Sequence, residues 1–193
     1  MNNNAKALPE TEEIRKAYEQ VSYTQRLRKS VLSTVNILIV VAAIAVIVAT
    51  LLLPILRIYG DSMRDTLENG DLVVSVKGAS FETGDVIAFY YNNNILVKRV
   101  IAGPGQWVDI DQDGNVYVDQ QAIEESYLKE KAYGDPDIFF PYQVPDDRFF
   151  VLGDNRSVSV DSRSTSVGCV STDQIVGKIV FRIWPLNRIG AIK

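Results

Sequence analysis

A chain of 193 residues with 47% apolar side chains is long enough for one folded domain plus appendages, and too hydrophobic to be disordered. Its formal charge of −4 lacks the basic surplus of a nucleic-acid binder, so no nucleic-acid partner is expected. It has no histidine and one cysteine, which excludes a Ser–His–Asp triad, a Cys–His pair, a His-dependent metallohydrolase and an intramolecular disulfide.

The single thiol, Cys169, reads as a small buried hydrophobe. Zinc has almost no ligands to draw on, and no carboxylate loop with the spacing of a calcium or magnesium site stands out. A hydrolase built from this inventory must use a carboxylate or a lysine as its base.

The first element is an uncharged run from Val31 to Leu56, in which Thr50 is the sole polar residue between Ile37 and Leu53. A bilayer core takes about 20 apolar residues in a helix, so the run is long enough to span. It exceeds the ~7–15 apolar residues of a cleaved signal peptide. Arg26, Arg28 and Lys29 crowd its N-terminal side, and the excess of positive charge there predicts a cytoplasmic N-terminus. The expected organisation is a cytoplasmic tail over 1–29, a transmembrane helix over 30–56 and an extracytoplasmic domain over 57–193, with the bilayer as a partner and the cell membrane as the location.

Beyond Leu56 the pattern becomes short apolar runs broken by Gly, Asn, Asp and Pro. Strands are expected at Asp71–Val76, Asp85–Tyr91, Ile95–Ile101, Trp107–Ile110, Gly114–Val118, Arg148–Leu152 and Gln174–Trp184. Asn92–Asn93–Asn94 and Asp113–Gly114 read as hairpin turns, and Gly103–Pro104–Gly105 as a tight turn. One helix is expected near Ile123–Lys131. Many short strands with frequent turns imply an antiparallel β domain.

In the strand after the triple asparagine, alternation puts Leu96, Lys98 and Val100 on one face and Val97, Arg99 and Ile101 on the other. An edge strand whose charges discourage aggregation is the account that this pattern alone favours, and other segments of the chain must be brought in to support a different one. That different account is a base in an apolar setting. Lysine, with a reference pKa near ~10.4, is protonated at neutral pH, and desolvation lowers that value by up to several units. Arg99 cannot serve, since guanidinium stays charged, and is expected to turn away into a structural ion pair.

Two further segments attract attention. GDSMRDTL, Gly60–Leu67, begins just past the apolar run, and Ser62 lies at most ~20 Å of extended chain from Leu56. VLGDNRSVSVDSR, Val151–Arg163, packs serines, aspartates and arginines directly after an apolar strand. Alone, each also reads as a solvated turn.

Taken together, GDSMRDTL followed by GDLVVS, then VKRVIAGPGQ, then GDNRSVSVDSR, and the ending GKIVFRIWPLNRIG resemble the type I signal peptidase family, in the right order behind one anchor. The resemblance implies a mostly β, antiparallel-sheet peptidase fold behind a single N-terminal transmembrane helix, with a small β subdomain inserted near residues 108–147. It implies Ser62 as nucleophile, Lys98 as general base, Ser159 as a hydrogen-bond partner orienting the lysine, and Asp161 with Arg163 as a supporting ion pair. Asp154 joins these as a further supporting residue. The Ser62 backbone N–H would donate to the oxyanion. Gly60 stands where many members carry a serine donor, as in the Gram-positive-like subgroup. The implied substrates are exported preproteins with small residues at positions −1 and −3 of the cleavage site, and no cofactor is needed.

Asp65 replaces the family's usual proline, which suggests a modest change in rigidity. Ser157 and Val158 replace more polar residues, and Met63 reads as packing. Rival readings are a specialised peptidase for pilins or another narrow substrate set, a Ser–Lys self-cleaving repressor relative, and a catalytically dead anchored β binding module. The anchor and the absence of a DNA-binding segment oppose the second, and the presence of Ser62 and Lys98 opposes the third.

Overall fold

The computed structural model describes residues 11–192. They divide into two compact units, residues 11–50 and 51–192.

The first unit is a single helix, α1 (Thr11–Leu52), with no glycine or proline inside it. Its large aliphatic side chains from Val31 to Leu52 are all exposed, and it is long and apolar enough to cross a membrane. A helix that is apolar all round is stable against lipid or a protein core, not against water. Both threonines of the apolar stretch satisfy their hydroxyls within the helix: Thr34 Oγ1 donates to Ser30 O and Thr50 Oγ1 to Ile47 O. This is what a polar group in hydrocarbon requires. The helix stops at Leu52 and does not continue to Leu56. Pro54 has no N–H to offer the ladder and disfavours helical geometry at Leu53. The remaining apolar residues form a strand.

That strand is β1 (Ile55–Arg57). It begins a sheet completed by β2 (Leu72–Val76), β3 (Val86–Tyr91), β4 (Asn94–Ala102), β9 (Arg148–Leu152), β10 (Val170–Ser171), β11 (Ile175–Trp184) and β12 (Gly190–Ala191). The order is β1-β2-β11-β3-β4-β9-β10, with β12 also on β11, and every pairing is antiparallel. A second antiparallel sheet, in the order β7-β6-β5-β8, uses β5 (Trp107–Ile110), β6 (Val116–Val118), β7 (Gln121–Ala122) and β8 (Tyr142–Gln143). The chain is therefore mostly β, as expected.

The turns behave as their residues require. Asn92 and Asn93 take φ of +43° and +63° between β3 and β4, the left-handed pair of a tight hairpin turn. Gly105 (φ +78°) follows Pro104 in the turn between β4 and β5. The second sheet buries Val108, Ile110, Val116 and Val118 against Ile101, Phe150 and Leu152 of the large one. Cys169 is buried in the same cluster, and burial pushes its thiol up to about 11, so it is inert packing, as expected.

The segment Ile123–Lys131 is not helical. Its side chains are drawn in different directions, Glu125 into a buried ion pair with Arg156 and Tyr127 onto the guanidinium of Arg99. Tertiary contacts of this strength override a helical propensity of a few tenths of a kcal/mol per residue.

Candidate active site

Ser62 lies on a loop whose neck is closed by Ile58 N donating to Asp71 O and Gly70 N to Ile58 O, both at 2.9 Å. Inside the neck the chain makes a compact turn in which Leu67 N donates to Met63 O at 2.7 Å and Arg64 N to Asp61 O at 3.1 Å. Met63 and Leu67 point into a core with Ile58, Val73 and Val86. Burial of such side chains stabilises by about 1.5–3 kcal/mol each, and it fixes the half-buried Ser62 beside them. Met63 is packing, as expected.

Gly60 has φ of +84°, a left-handed backbone that suits glycine. Asp65 has φ of +91°, which proline, locked near ~−65°, cannot adopt. The aspartate therefore belongs to a differently shaped turn, a larger change than one of rigidity. Its carboxylate receives Lys129 Nζ at 2.8 Å.

Lys98 is on β4, which has β3 on one side and β9 on the other, so the edge-strand reading does not hold. The register pairs Lys98 with Ile87 and Leu96 with Phe89, all on the face that packs with Val100 and Val151. Arg99, paired with Val86, takes the opposite face. On the β9 side Arg99 pairs with Leu152, the last residue of β9, and the chain runs on into Gly153.

That glycine is where the three segments converge. A Cβ at Gly153 would collide with Ser159 Oγ and lie 2.5 Å from Ser62 O. Lys98 is 2% exposed, and no described carboxylate forms an ion pair with it. Desolvation lowers its pKa to about 8. Asp161 and Asp154 oppose that shift, and Arg163 assists it.

Neither Ser62 nor Ser159 hydrogen-bonds the Lys98 amine among the described residues. The expected Ser159–Lys98 bond is not formed: Ser159 Oγ packs against Gly153, buried and without a partner. A buried hydroxyl in that condition is costly and calls for an explanation.

Two buried ion pairs frame the site. Asp161 accepts from Arg163 Nε and Nη2 at 2.9 Å and from Gly153 N at 3.0 Å. Asp154 accepts from Arg99 Nε at 2.9 Å, Arg99 Nη2 at 2.7 Å and Thr66 Oγ1 at 2.5 Å. One carboxylate of the third segment thus ties down the lysine strand and the serine turn together. Asn155 adds main-chain ties, with its N donating to Ser62 O at 3.0 Å and Nδ2 to Asp61 O at 3.1 Å. Removing one partner of such a buried pair leaves an uncompensated charge, typically worth ~3–5 kcal/mol.

Beside Ser62 opens a groove of about 540 Å³, walled by Ile58, Tyr59 and Met63 on one side and Ile95, Leu96 and Val97 on the other. Among the described residues no three His, Cys, Asp or Glu side chains cluster as a metal site. In the acid-rich hairpin 109–115, Asp111 Oδ1 is taken up by the Asp113 and Asn115 N–H groups and Oδ2 by Asn115 Nδ2 and Tyr117 OH.

Residues 31–184 match the family described as signal peptidase, peptidase S26. The chain belongs to that family. It is 32% identical over 177 residues to signal peptidase I of Bacillus amyloliquefaciens, covering 86% of this chain and 95% of the relative. It is 35% identical over 182 residues to signal peptidase IB of Staphylococcus aureus strain COL, covering 83% and 93%. A crystal structure of a signal peptidase I from Enterococcus faecalis V583 is similar at 29% identity and a TM-score of 0.45, covering 52% of this chain and 97% of that one.

In this S26 peptidase several residues at the site escape sequence reasoning. The strap Glu124–Lys131 contacts all three segments: Lys129 pairs with Asp65, the Tyr127 ring lies 3.8 Å from the Arg99 guanidinium, and Glu125 pairs with Arg156. Tyr127 OH also donates to Glu125 Oε1 at 3.1 Å. Arg156 Nε in turn donates to Gly153 O at 3.1 Å. The strap carries no motif, and its partners lie far away in the sequence. The one available signal was Arg99, whose charge in an aliphatic strand demanded a partner, and Asp154 is that partner.

Proposed function

We propose that this chain is a membrane-anchored signal peptidase in which Ser62 attacks the scissile carbonyl and Lys98 is the general base. The observation that carries the reading is the buried Lys98, its pKa lowered to about 8, on the strand that pairs with the one leading into Gly153, against which Ser62 O and Ser159 Oγ lie.

With a pKa of 10.5 about one lysine in 3,000 is neutral at pH 7, and with a pKa of about 8 roughly one in ten. Neutral Lys98 accepts the Ser62 proton as Oγ bonds to the carbonyl carbon. The Ser62 N–H donates to the developing oxyanion. The ammonium then returns its proton to the leaving amine, giving an acyl-enzyme on Ser62. Water, deprotonated by the same amine, releases the acyl group. Ser159, with a free hydroxyl beside Gly153, is the group that accepts a hydrogen bond from the Lys98 ammonium or donates one to the neutral amine. Asp161, Arg163 and Asp154 hold the surrounding chain.

The apolar groove takes the signal-peptide side in extended form, and its shallow walls favour alanine-sized side chains at positions −1 and −3. α1 sits in the lipid bilayer with the N-terminus in the cytoplasm, in keeping with the basic flank of Arg26, Arg28 and Lys29.

The test uses full-length protein in detergent micelles with a preprotein carrying alanine at −1 and −3. Cleavage is expected at that one bond, with kcat/KM rising through a midpoint near pH 8. Leucine at −1 should reduce it at least 100-fold, and Ser62→Ala should abolish it. Cleavage that ignores the −1 residue or survives Ser62→Ala contradicts the reading.

A further inference from the structure

The serine turn separates two clefts of different character, the first mainly apolar with Arg57, Asn93 and Asn94 at its margin and the second mainly polar. Ser62 and Met63 line the apolar groove, whereas the next two residues, Arg64 and Asp65, line a second cleft of about 380 Å³. Its other walls come from Lys129 and Lys131 on the strap and from Asn155, the residue that holds Ser62 O and Asp61 O. The change from apolar to charged lining falls at the nucleophile itself.

A signal-peptidase substrate changes character at the same point. Before the scissile bond it is small and apolar, and after it the chain is the polar start of a secreted protein. We infer that the charged cleft is the subsite for the mature side of the substrate, and that Lys129 and Lys131 favour an acidic side chain there. This rests on the peptidase reading above and adds a specificity that the family assignment does not supply.

The exposed cations in the cleft are Arg64, Lys129 and Lys131, which outnumber the carboxylates of Asp65 and Glu130 beside them, and Lys131 Nζ also donates to Asn115 Oδ1 at 3.0 Å. Arg64 is 60% exposed and paired with Asp61, Lys129 is 77% exposed and paired with Asp65, and Lys131 is 39% exposed at 3.9 Å from Glu125. The Arg64–Asp61 pair is exposed on both sides, a kind worth about 0–1 kcal/mol, and the Lys129 side chain is itself mostly in solvent, so both cations are free to meet a substrate carboxylate. The buried charges in the walls are not available: Asp154 is held by Arg99 and Arg156 by Glu125. Lys129 is tied at 2.8 Å to Asp65, three residues along the chain from Ser62, and three residues of extended chain reach ~10 Å, so the second or third mature residue is the one assigned to the lysines.

The experiment uses full-length protein in micelles and three preproteins that differ only in the second mature residue, which is Asp, Asn or Lys. At low salt the expected order of kcat/KM is Asp, then Asn, then Lys, spanning about tenfold, and the span shrinks at high salt. Lys129→Glu/Lys131→Glu should invert the order. Lys131→Glu alone, which leaves the Asp65 contact in place, should flatten it. The ratio is read within each protein, so a general loss of activity cancels. Equal rates for all three substrates, or an order unchanged in the double variant, overturn the subsite while leaving the peptidase reading intact. Failure to cleave any of the three overturns both.

Discussion

Lys98→Met is expected to reduce preprotein cleavage by at least about 10³-fold and, at the same time, to make the protein more stable at pH 7. The first effect comes from removing the base. The second comes from the same burial that tunes it. The lysine pKa falls from 10.5 unfolded to about 8 folded, so between those values the unfolded chain binds more protons and stability rises with pH. Below pH 8 the whole penalty is present, about 3 kcal/mol at ~1.36 kcal/mol per pH unit. Methionine fills a similar volume without a charge and removes that penalty. Chemical denaturation should show the variant more stable by roughly 2–3 kcal/mol at pH 7, with the gap at least halved at pH 9.5. A variant that is inactive and also destabilised at pH 7 would show an ordinary packing residue, not a strained base.

Gly153→Ala is the second large effect, and it acts through shape. The added carbon would collide with Ser159 Oγ, lie 2.6 Å from Ser159 Cβ and 2.5 Å from Ser62 O. Of these the Ser62 oxygen cannot yield, because it is main chain already bonded to Asn155 N. Overpacking of this kind costs about 1–3 kcal/mol. A displacement near ~1 Å at the nucleophile lowers kcat by about 100-fold. Gly103→Ala is the control: its Cβ would meet Gln106 Oε1 at 3.7 Å and Phe149 at 3.8 Å, ordinary contacts, so activity should stay within about twofold. Steady-state kinetics on both variants, with thermal unfolding alongside, checks the pair. A fully active Gly153→Ala enzyme would remove this glycine from the site.

Seven of the twelve strands among the described residues were legible because their signals are local, whereas β7, β8, β10 and β12, two residues each, are too short to show a period. Trp107–Ile110 and Arg148–Leu152 match to the residue, since each is an apolar run between turn formers. The faces of β4 were legible for the same reason, through period-two alternation. The helix expected at Ile123–Lys131 failed because Glu125, Tyr127 and Lys129 answer to Arg156, Arg99 and Asp65, which no local pattern announces. The helix end was missed for a different reason. Hydrophobicity continues to Leu56, but Pro54 ends the hydrogen-bond ladder, and β2 offers its edge to Ile55–Arg57.

The site divides along the same line. Ser62, Lys98 and Ser159 were named from their motifs, and the structure gathers the backbone of the first, the strand of the second and the hydroxyl of the third at Gly153. Asp154 was the least specific of the named residues, and its carboxylate holds Arg99 and Thr66 together. The conformation at Asp65 was out of reach, because aspartate is compatible with many turns and only the backbone shows a φ that excludes proline.

The most direct measurement is an NMR titration of the Lys98 side chain in the full-length protein, with the signal identified by its absence in Lys98→Met. A midpoint near 8 that coincides with the midpoint of the kcat/KM profile is the predicted result. A Lys98 amine that titrates near 10.5, as in water, would contradict a buried neutral base.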